Sequence, residues 1–273
     1  MGFVSQLEVL PIAPSRIGEA MSSQSVRYPF EYFSAPFAFA SRISDITGAP
    51  LWDSVSRYTP LLEEITGASF QEQPNEAIWN TLLHSTTGKS WQEVAQVAYS
   101  FYLEQPYAAF DGTWVPKGST RFGALGVDTG PYNLSRNQVK LHFLPTRSGG
   151  SDLASSRLGE RKEDMKRLLS FVNDKHPGIN HFTSYTCLQN IPNYRALFPP
   201  TFLDRLVVMR DKFLGLWGQF VKWDGTANQT NYEVFISRLH QALTLDEIID
   251  SIPLKVLGAS GPIQEFYDFY GVQ

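Results

Sequence analysis

Three side chains in the middle of the chain have the chemistry for proton transfer or covalent catalysis: His142, Tyr185 and Cys187. A histidine aimed into a cleft serves as a general base toward an amine or hydroxyl. A tyrosine hydroxyl can return a proton to a leaving thiolate. A thiolate at Cys187 near His142 or His181 could act as a nucleophile, because a base must take or lower its proton. Each also has a plainer reading. A strand histidine is more often at the surface or hydrogen-bonded, and a lone cysteine after a strand is more often a small buried apolar group. The hydroxyl run Thr183-Ser184-Tyr185-Thr186 more often serves local backbone groups in a turn. Ahead of these residues lies Arg147-Ser148-Gly149-Gly150-Ser151, a Gly/Ser-rich loop before a charged helix. A small-residue loop that enters a helix can hold an anion.

The elements that must position these residues are legible around them. Val139, Leu141 and Phe143 alternate with Lys140 and His142, which predicts a strand with His142 on the wetter face. A helix over Arg157–Asn173 and a second strand over Asn180–Tyr185 follow, giving a strand–helix–strand crossover. Thr120–Asp128 reads as a strand, and Gly130-Pro131-Tyr132-Asn133 as a turn. Thr186–Asn190 reads as a turn, with Asn190 or Asn193 as the N-cap of the next helix.

Met1–Ser25 reads as loose, and the prolines in Tyr28–Phe39 predict an extended arm that packs its rings on the body. Helices are expected over Asp53–Ile65, with Pro60 as a kink, over Asn75–His84, and over Trp91–Leu103. Ser90 and Glu93 form a capping box for the last of these, and Pro106 closes it. Trp114–Lys117, between Gly112 and Gly118, reads as an ordinary loop or a lid. An apolar stripe from Leu203 to Val221 predicts a helix. Thr230–Leu243 predicts another, Leu254–Leu257 a short strand, and Pro262 the start of a final helix. The order is helices, a β-rich middle, then helices. It implies an α+β fold with a central mixed sheet covered by helices, divided into a helical region 1–110 and an α/β region 111–273.

The 273 residues are 42% hydrophobic and 18% charged, the balance of a globular protein. A net charge of -4 argues against nucleic acid as a partner and leaves a small-molecule substrate. No apolar run spans a membrane and no leader is visible, so a cytoplasmic location is expected. One cysteine excludes an internal disulfide and a cysteine-rich zinc site, and no paired histidines suggest a metal. No dinucleotide fingerprint, P-loop or nucleophile elbow occurs. Aromatic residues reach 14%. Core filling outweighs the alternative, an aromatic-lined pocket of a cyclase or isomerase. A third reading is a binding protein that docks through Phe266-Tyr267-Asp268-Phe269-Tyr270.

The pieces Leu125-Gly126, Leu141-His142-Phe143-Leu144-Pro145, Gly149-Gly150-Ser151-Asp152-Leu153, Thr186-Cys187-Leu188 and Leu197-Phe198-Pro199 occur in that order. In this the middle of the chain resembles the C-terminal half of GNAT-like acyltransferases of a poorly characterised bacterial family. Where that family has Ser-Trp this chain has Thr186-Cys187, and it departs from the pattern after Leu203. The resemblance implies a GNAT-like sheet and transfer of an acyl group from acyl-CoA to an amine or hydroxyl of a small metabolite. It also implies that the CoA pyrophosphate rests at the helix start, on Arg147, Gly149, Gly150 and Ser151. Asp152 stands where that loop has a small residue and would repel phosphate, a repulsion Arg157 and Arg161 could offset.

Overall fold

The computed structural model describes residues 27–66, 76–104, 118–146, 150–210 and 217–273. The expected loose N-terminal segment, Pro106, the Trp114–Lys117 loop, and Arg147 and Gly149 lie outside the described residues. In chain order the helices begin with α1 (Phe30–Thr47), α2 (Leu51–Tyr58), α3 (Leu61–Thr66), α4 (Glu76–Thr86) and α5 (Trp91–Glu104). Strands β1 (Ser119–Phe122) and β2 (Leu125–Asp128), the one-turn helix α6 (Pro131–Leu134) and strand β3 (Gln138–Phe143) follow. Then come α7 (Leu158–Lys175), β4 (His181–Thr186), α8 (Pro192–Arg195), α9 (Pro200–Leu203) and β5 (Val207–Val208). The last elements are α10 (Gln229–Gln241), α11 (Leu245–Ser251), β6 (Leu257–Pro262) and α12 (Gln264–Tyr270). The chain divides into two compact units, residues 1–111 with 212–253, and 112–211 with 254–273.

The first unit is helical and built around α1. The extended arm expected from Pro29 and Pro36 is instead this helix, with Pro29 as its N-cap residue and Pro36 inside it. A proline within a helix costs about 3 kcal/mol. Burial more than offsets it, because Phe33, Phe37 and Phe39 are fully buried and each is worth roughly 1.5–3 kcal/mol. Phe33 packs 4.5 Å from Tyr102, Phe37 5.6 Å from Trp52 and Phe39 5.4 Å from Trp217, centroid to centroid. Gly48 ends α1 in the left-handed conformation at φ 71. The helix expected over Asp53–Ile65 breaks at Thr59-Pro60 into α2 and α3. The capping box at α5 is present, the Ser90 backbone N–H donating to the Glu93 carboxylate at 2.8 Å.

The second unit carries a six-stranded mixed sheet in the order β1-β2-β3-β4-β6-β5. The fold is therefore α+β. The strand expected over Thr120–Asp128 is a hairpin, folded at Gly123-Ala124. Gly123 takes φ 58, and a side chain there would collide with the Asp164 carboxylate. β3 and β4 run parallel, joined by α7 as expected of a crossover. One face of the sheet presents Leu125, Val127, Val139, Leu141, Phe182 and Ala259 to Met165, Leu168 and Leu169 of α7, with Tyr194, Phe198, Phe202 and Phe266 in the same core.

The C-terminal third of the chain departs most from expectation. The stripe Leu203–Val221 is not one helix: α9 ends at Leu203, and Val207 and Val208 pair with β6. Trp217–Phe220 is a turn of 3-10 helix, and 211–216 lie outside the described residues. β-branched Val207 and Val208 favour the strand, where they bond β6. The expected strand Leu254–Leu257 lies further along, over Leu257-Gly258-Ala259-Ser260-Gly261-Pro262. These small residues form an internal strand because neighbouring side chains cross them. A Cβ at Gly258 would strike the Tyr185 ring, and one at Gly261 would come within 2.5 Å of the Arg205 guanidinium. Thr244 and Glu247 form a capping box that starts α11, a helix not anticipated.

Candidate functional site

Register decides which side chains share a face. Lys140 lies opposite Asp128 on β2 and opposite Thr183 on β4. His142 and Tyr185 are each two residues further along, so they share the face of that pair. Gly126 faces His142, and Gly258 faces Tyr185. The sheet thus turns an apolar face to α7 and a polar face the other way, holding Asp128, Lys140, His142, Thr183 and Tyr185. The sequence reading placed His142 and Tyr185 in strands, and the structure brings them onto one surface.

That polar face is not simply wet. His142 is 2% exposed, and burial pushes its imidazole down to about 3, so the ring is neutral across the physiological range. Its Nε2 stands 3.8 Å from the Asp128 carboxylate, beyond hydrogen-bond length. Lys140 is pulled below the ordinary lysine value by burial, against the attraction of Asp128 and Tyr132. The Tyr185 phenol is pushed up by burial and by Tyr132, and eased by Arg136 and a hydrogen bond with Thr183. Above this face sits α6, where exposed Tyr132 carries the Arg136 guanidinium 4.2 Å from its ring centroid. A neutral imidazole, a lysine held below its ordinary value and a phenol held above its own are arranged together. Such a set can accept one proton and donate another. Sequence reasoning missed Lys140, Asp128, Tyr132 and Arg136. The alternation that exposed His142 also placed Lys140 beside it, but the partner strand β2 was not legible as a separate strand.

The ladder between β3 and β4 is short. It joins Gln138–Lys140 to His181–Thr183 and stops there, although both strands run on, to Phe143 and to Thr186. Over those last residues β3 stays paired to β2 and β4 to β6. The central pair therefore parts at its C-terminal ends, where crossover folds bind ligands. On the core side of this parting, Ser184 receives a hydrogen bond from the Gln189 amide at 3.4 Å, and the Tyr194 ring lies 6.0 Å from Phe143. Gln189 is fully buried, and its Oε1 makes no hydrogen bond.

Cys187 opens the turn after β4, buried beside Tyr194. Burial pushes its thiol up to about 11, which keeps it protonated and matches the packing reading. Thr186 accepts from the Leu188 backbone N–H, and Thr183 donates to the Val139 carbonyl at 3.0 Å, so these two hydroxyls serve backbone groups. Neither Asn190 nor Asn193 is an N-cap. Asn190 donates to the carbonyls of Cys187 and Lys255, and Asn193 to that of Leu153, tying loops together. His181 is exposed at the start of β4.

Of the expected anion site, Gly150, Ser151 and Arg157 are described, and an ionic cluster lies at the start of α7 beside them. Gly150 has φ 117, and the Ser151 hydroxyl accepts from the Leu153 N–H at 3.3 Å. Asp152 is 4% exposed and takes the Arg157 and Arg161 guanidinium groups at 2.8 Å each. It also accepts from the Thr146 backbone N–H at 2.6 Å and the Thr146 hydroxyl at 2.8 Å. Glu160 takes further nitrogens of both arginines at 3.1 Å. Arg161 Nε stands 3.0 Å from Asp164, close enough for an ion pair though not aligned as a hydrogen bond. Arg167 completes the set against Asp164. Three carboxylates balance three guanidinium groups.

Elsewhere, in the segment read as an alternative docking patch, Phe266 is fully buried and Tyr267 nearly so, while Phe269 is exposed. A shallow hollow of about 490 Å³ on α4 is lined, among the described residues, by Asn80, Thr81, His84 and Ser85. Among the described residues, no three His, Cys, Asp or Glu side chains could hold a metal, and no helix is long and apolar enough to cross a membrane. No family model, curated protein or solved structure matches the chain.

Proposed function

We propose that the protein transfers an acyl group from an acyl-CoA-type thioester to an amine or hydroxyl of a small metabolite. The observation that carries this reading is the parting of β3 and β4 beside a face bearing His142, Lys140 and Tyr185. Two strands that separate turn main-chain edges toward each other. An extended chain with its own amides, such as the pantetheine arm of a thioester donor, can bond to such edges as an added strand does. The thioester would then lie near the polar face. The acceptor nitrogen or oxygen attacks the thioester carbon, a C–N or C–O bond forms and the C–S bond breaks. The acceptor's proton passes to neutral His142, and the departing thiolate takes the proton of Tyr185. Because His142 is a weak base, the acceptor must arrive unprotonated. Among the described residues, Trp217, Tyr102, Tyr194 and most phenylalanines named above fill cores, which favours this reading over an aromatic-lined pocket.

The test is ligand-induced stabilisation with acetyl-CoA, longer acyl-CoAs and S-acetylpantetheine. A donor at about a hundred times its Kd raises stability by roughly 2.7 kcal/mol, an easily measured shift in Tm. Absence of a shift with every pantetheine thioester would end the acyl-transfer reading.

A further inference from the structure

We infer that the acceptor of the acyl group carries a carboxylate of its own, and that Arg136 holds it above Lys140 and Tyr185 on the polar face of the sheet. Its role as acceptor rests on the acyl-transfer reading above. The anion seat rests on the side chains alone.

Register sets the floor of the seat. Lys140 lies between Asp128 on β2 and Thr183 on β4. Tyr185 starts from the next row, opposite Gly258. Gly258 has no side chain because the space is taken: a Cβ there would lie 2.4 Å from Cδ1 of Tyr185 and 2.9 Å from Cγ of Met209. The ring therefore leans over β6, and its hydroxyl hydrogen-bonds Thr183, two residues back on its own strand. That brings the phenol oxygen into the row of Lys140. The roof is α6 with the turn after it. Tyr132 lies within electrostatic reach of both Lys140 and Tyr185, and Arg136 within reach of Tyr185. The Arg136 guanidinium stands 4.2 Å from the Tyr132 ring centroid. A guanidinium held over a ring still directs N–H groups outward, the fork that receives a carboxylate. Tyr132 and Arg136 are exposed, while Lys140 and Tyr185 are half-buried, so the seat opens to solvent on the side of α6.

Charge selects the ligand. Among the described residues, register and contact set one carboxylate, Asp128, against three cations, Arg121, Lys140 and Arg136. Arg121 donates to the carbonyls of Gly123, Leu144 and Pro145. Asp128 accepts from the Gly130 N–H at 2.7 Å and stands 3.8 Å from His142. Burial weighs against the charge of Lys140 in spite of Asp128. A ligand carboxylate offsets this excess of positive charge, and on Arg136 it brings the rest of the ligand to the Tyr185 hydroxyl. A neutral alcohol gains nothing from Arg136, and a cationic amine without a carboxylate meets like charge. The chemistry that fits is a small amino acid or hydroxy acid.

The experiment measures Kd values for glycine against glycinamide, and for glycolate against glycolamide, by NMR titration of the full chain. Each pair keeps the amine or hydroxyl and changes only the carboxylate. The expected result is saturable binding in which each acid binds about fivefold tighter than its amide. Arg136→Gln should erase that preference, and because Arg136 is exposed the replacement leaves the core untouched. Tyr132→Leu should reduce it by releasing the guanidinium from its ring. Arg195→Gln, at an exposed arginine of α8 on the core side of the sheet, should leave it intact. Acids and amides that bind alike in the wild type, or not at all, overturn this inference, as does a preference that survives Arg136→Gln. Thioester binding without the preference removes this inference and leaves acyl transfer standing. The preference without thioester binding keeps the anion seat and ends the acyl-transfer reading.

Discussion

Phe182 and Thr183 are neighbours on β4, and neither is exposed. They belong to different worlds. Phe182 points into the packed core, 4.1 Å from the Phe266 ring and 6.3 Å from that of Phe202. Thr183 points to the other face, between Lys140 and Tyr185, and uses its hydroxyl on the Val139 carbonyl. One face of the sheet is thus a conventional hydrophobic layer. The other is polar and partly buried, and retains groups whose protonation burial has shifted. The core face holds the sheet together. The polar face bears a cost in stability, and groups held in that way mark functional sites more often than structural ones.

The comparison breaks if substitutions on the two faces behave alike. The largest effect belongs to the core: Phe182→Ala should cost about 3–5 kcal/mol, read as a lower midpoint in urea unfolding. The polar face should show itself through pH. The unfolded chain binds a proton at His142 near pH 6.5, and the folded chain refuses it until about pH 3. Stability contributed by the neutral ring is therefore complete above pH 6.5 and is lost as pH falls toward 3. The loss amounts to a few kcal/mol, on the order expected for a shift of this size. His142→Gln should flatten the stability–pH curve in that window, and an unchanged slope would show that the ring is not buried neutral. The smallest effect is Thr183→Val, which keeps shape and loses one hydrogen bond, worth about 1 kcal/mol. A loss as large as that of Phe182→Ala would erase the distinction between the faces.

The parts of the fold set by local pattern were readable. The alternation at Val139–Phe143, the charged crossover helix and the Ser90–Glu93 cap each carry their own signal, and each is found in place. What was not readable depends on neighbours distant in sequence. Pro36 sits in a helix because rings from α5, α2 and the 3-10 turn at Trp217 surround α1. β6 is a strand of small residues because Tyr185, Phe202 and Arg205 need room to cross it. The candidate site divides the same way. His142 and Tyr185 were visible as types in strands. The role of Asp152 was half visible: its charge was seen as hostile to phosphate, but not that Arg157, Arg161 and Thr146 would all close on it.

The placing of β6 between β4 and β5 also governs the order of assembly during synthesis. β5 leaves the ribosome about fifty residues ahead of the strand that is its hydrogen-bonding partner. Until Leu257–Pro262 arrives, β4 keeps an open edge and Val207 and Val208 have no strand to join. The helical unit closes in the interval, since α10 and α11 are made between β5 and β6. A nascent chain stalled within 217–253 therefore exposes an unpaired sheet edge beside apolar residues, the form most prone to pair with another chain.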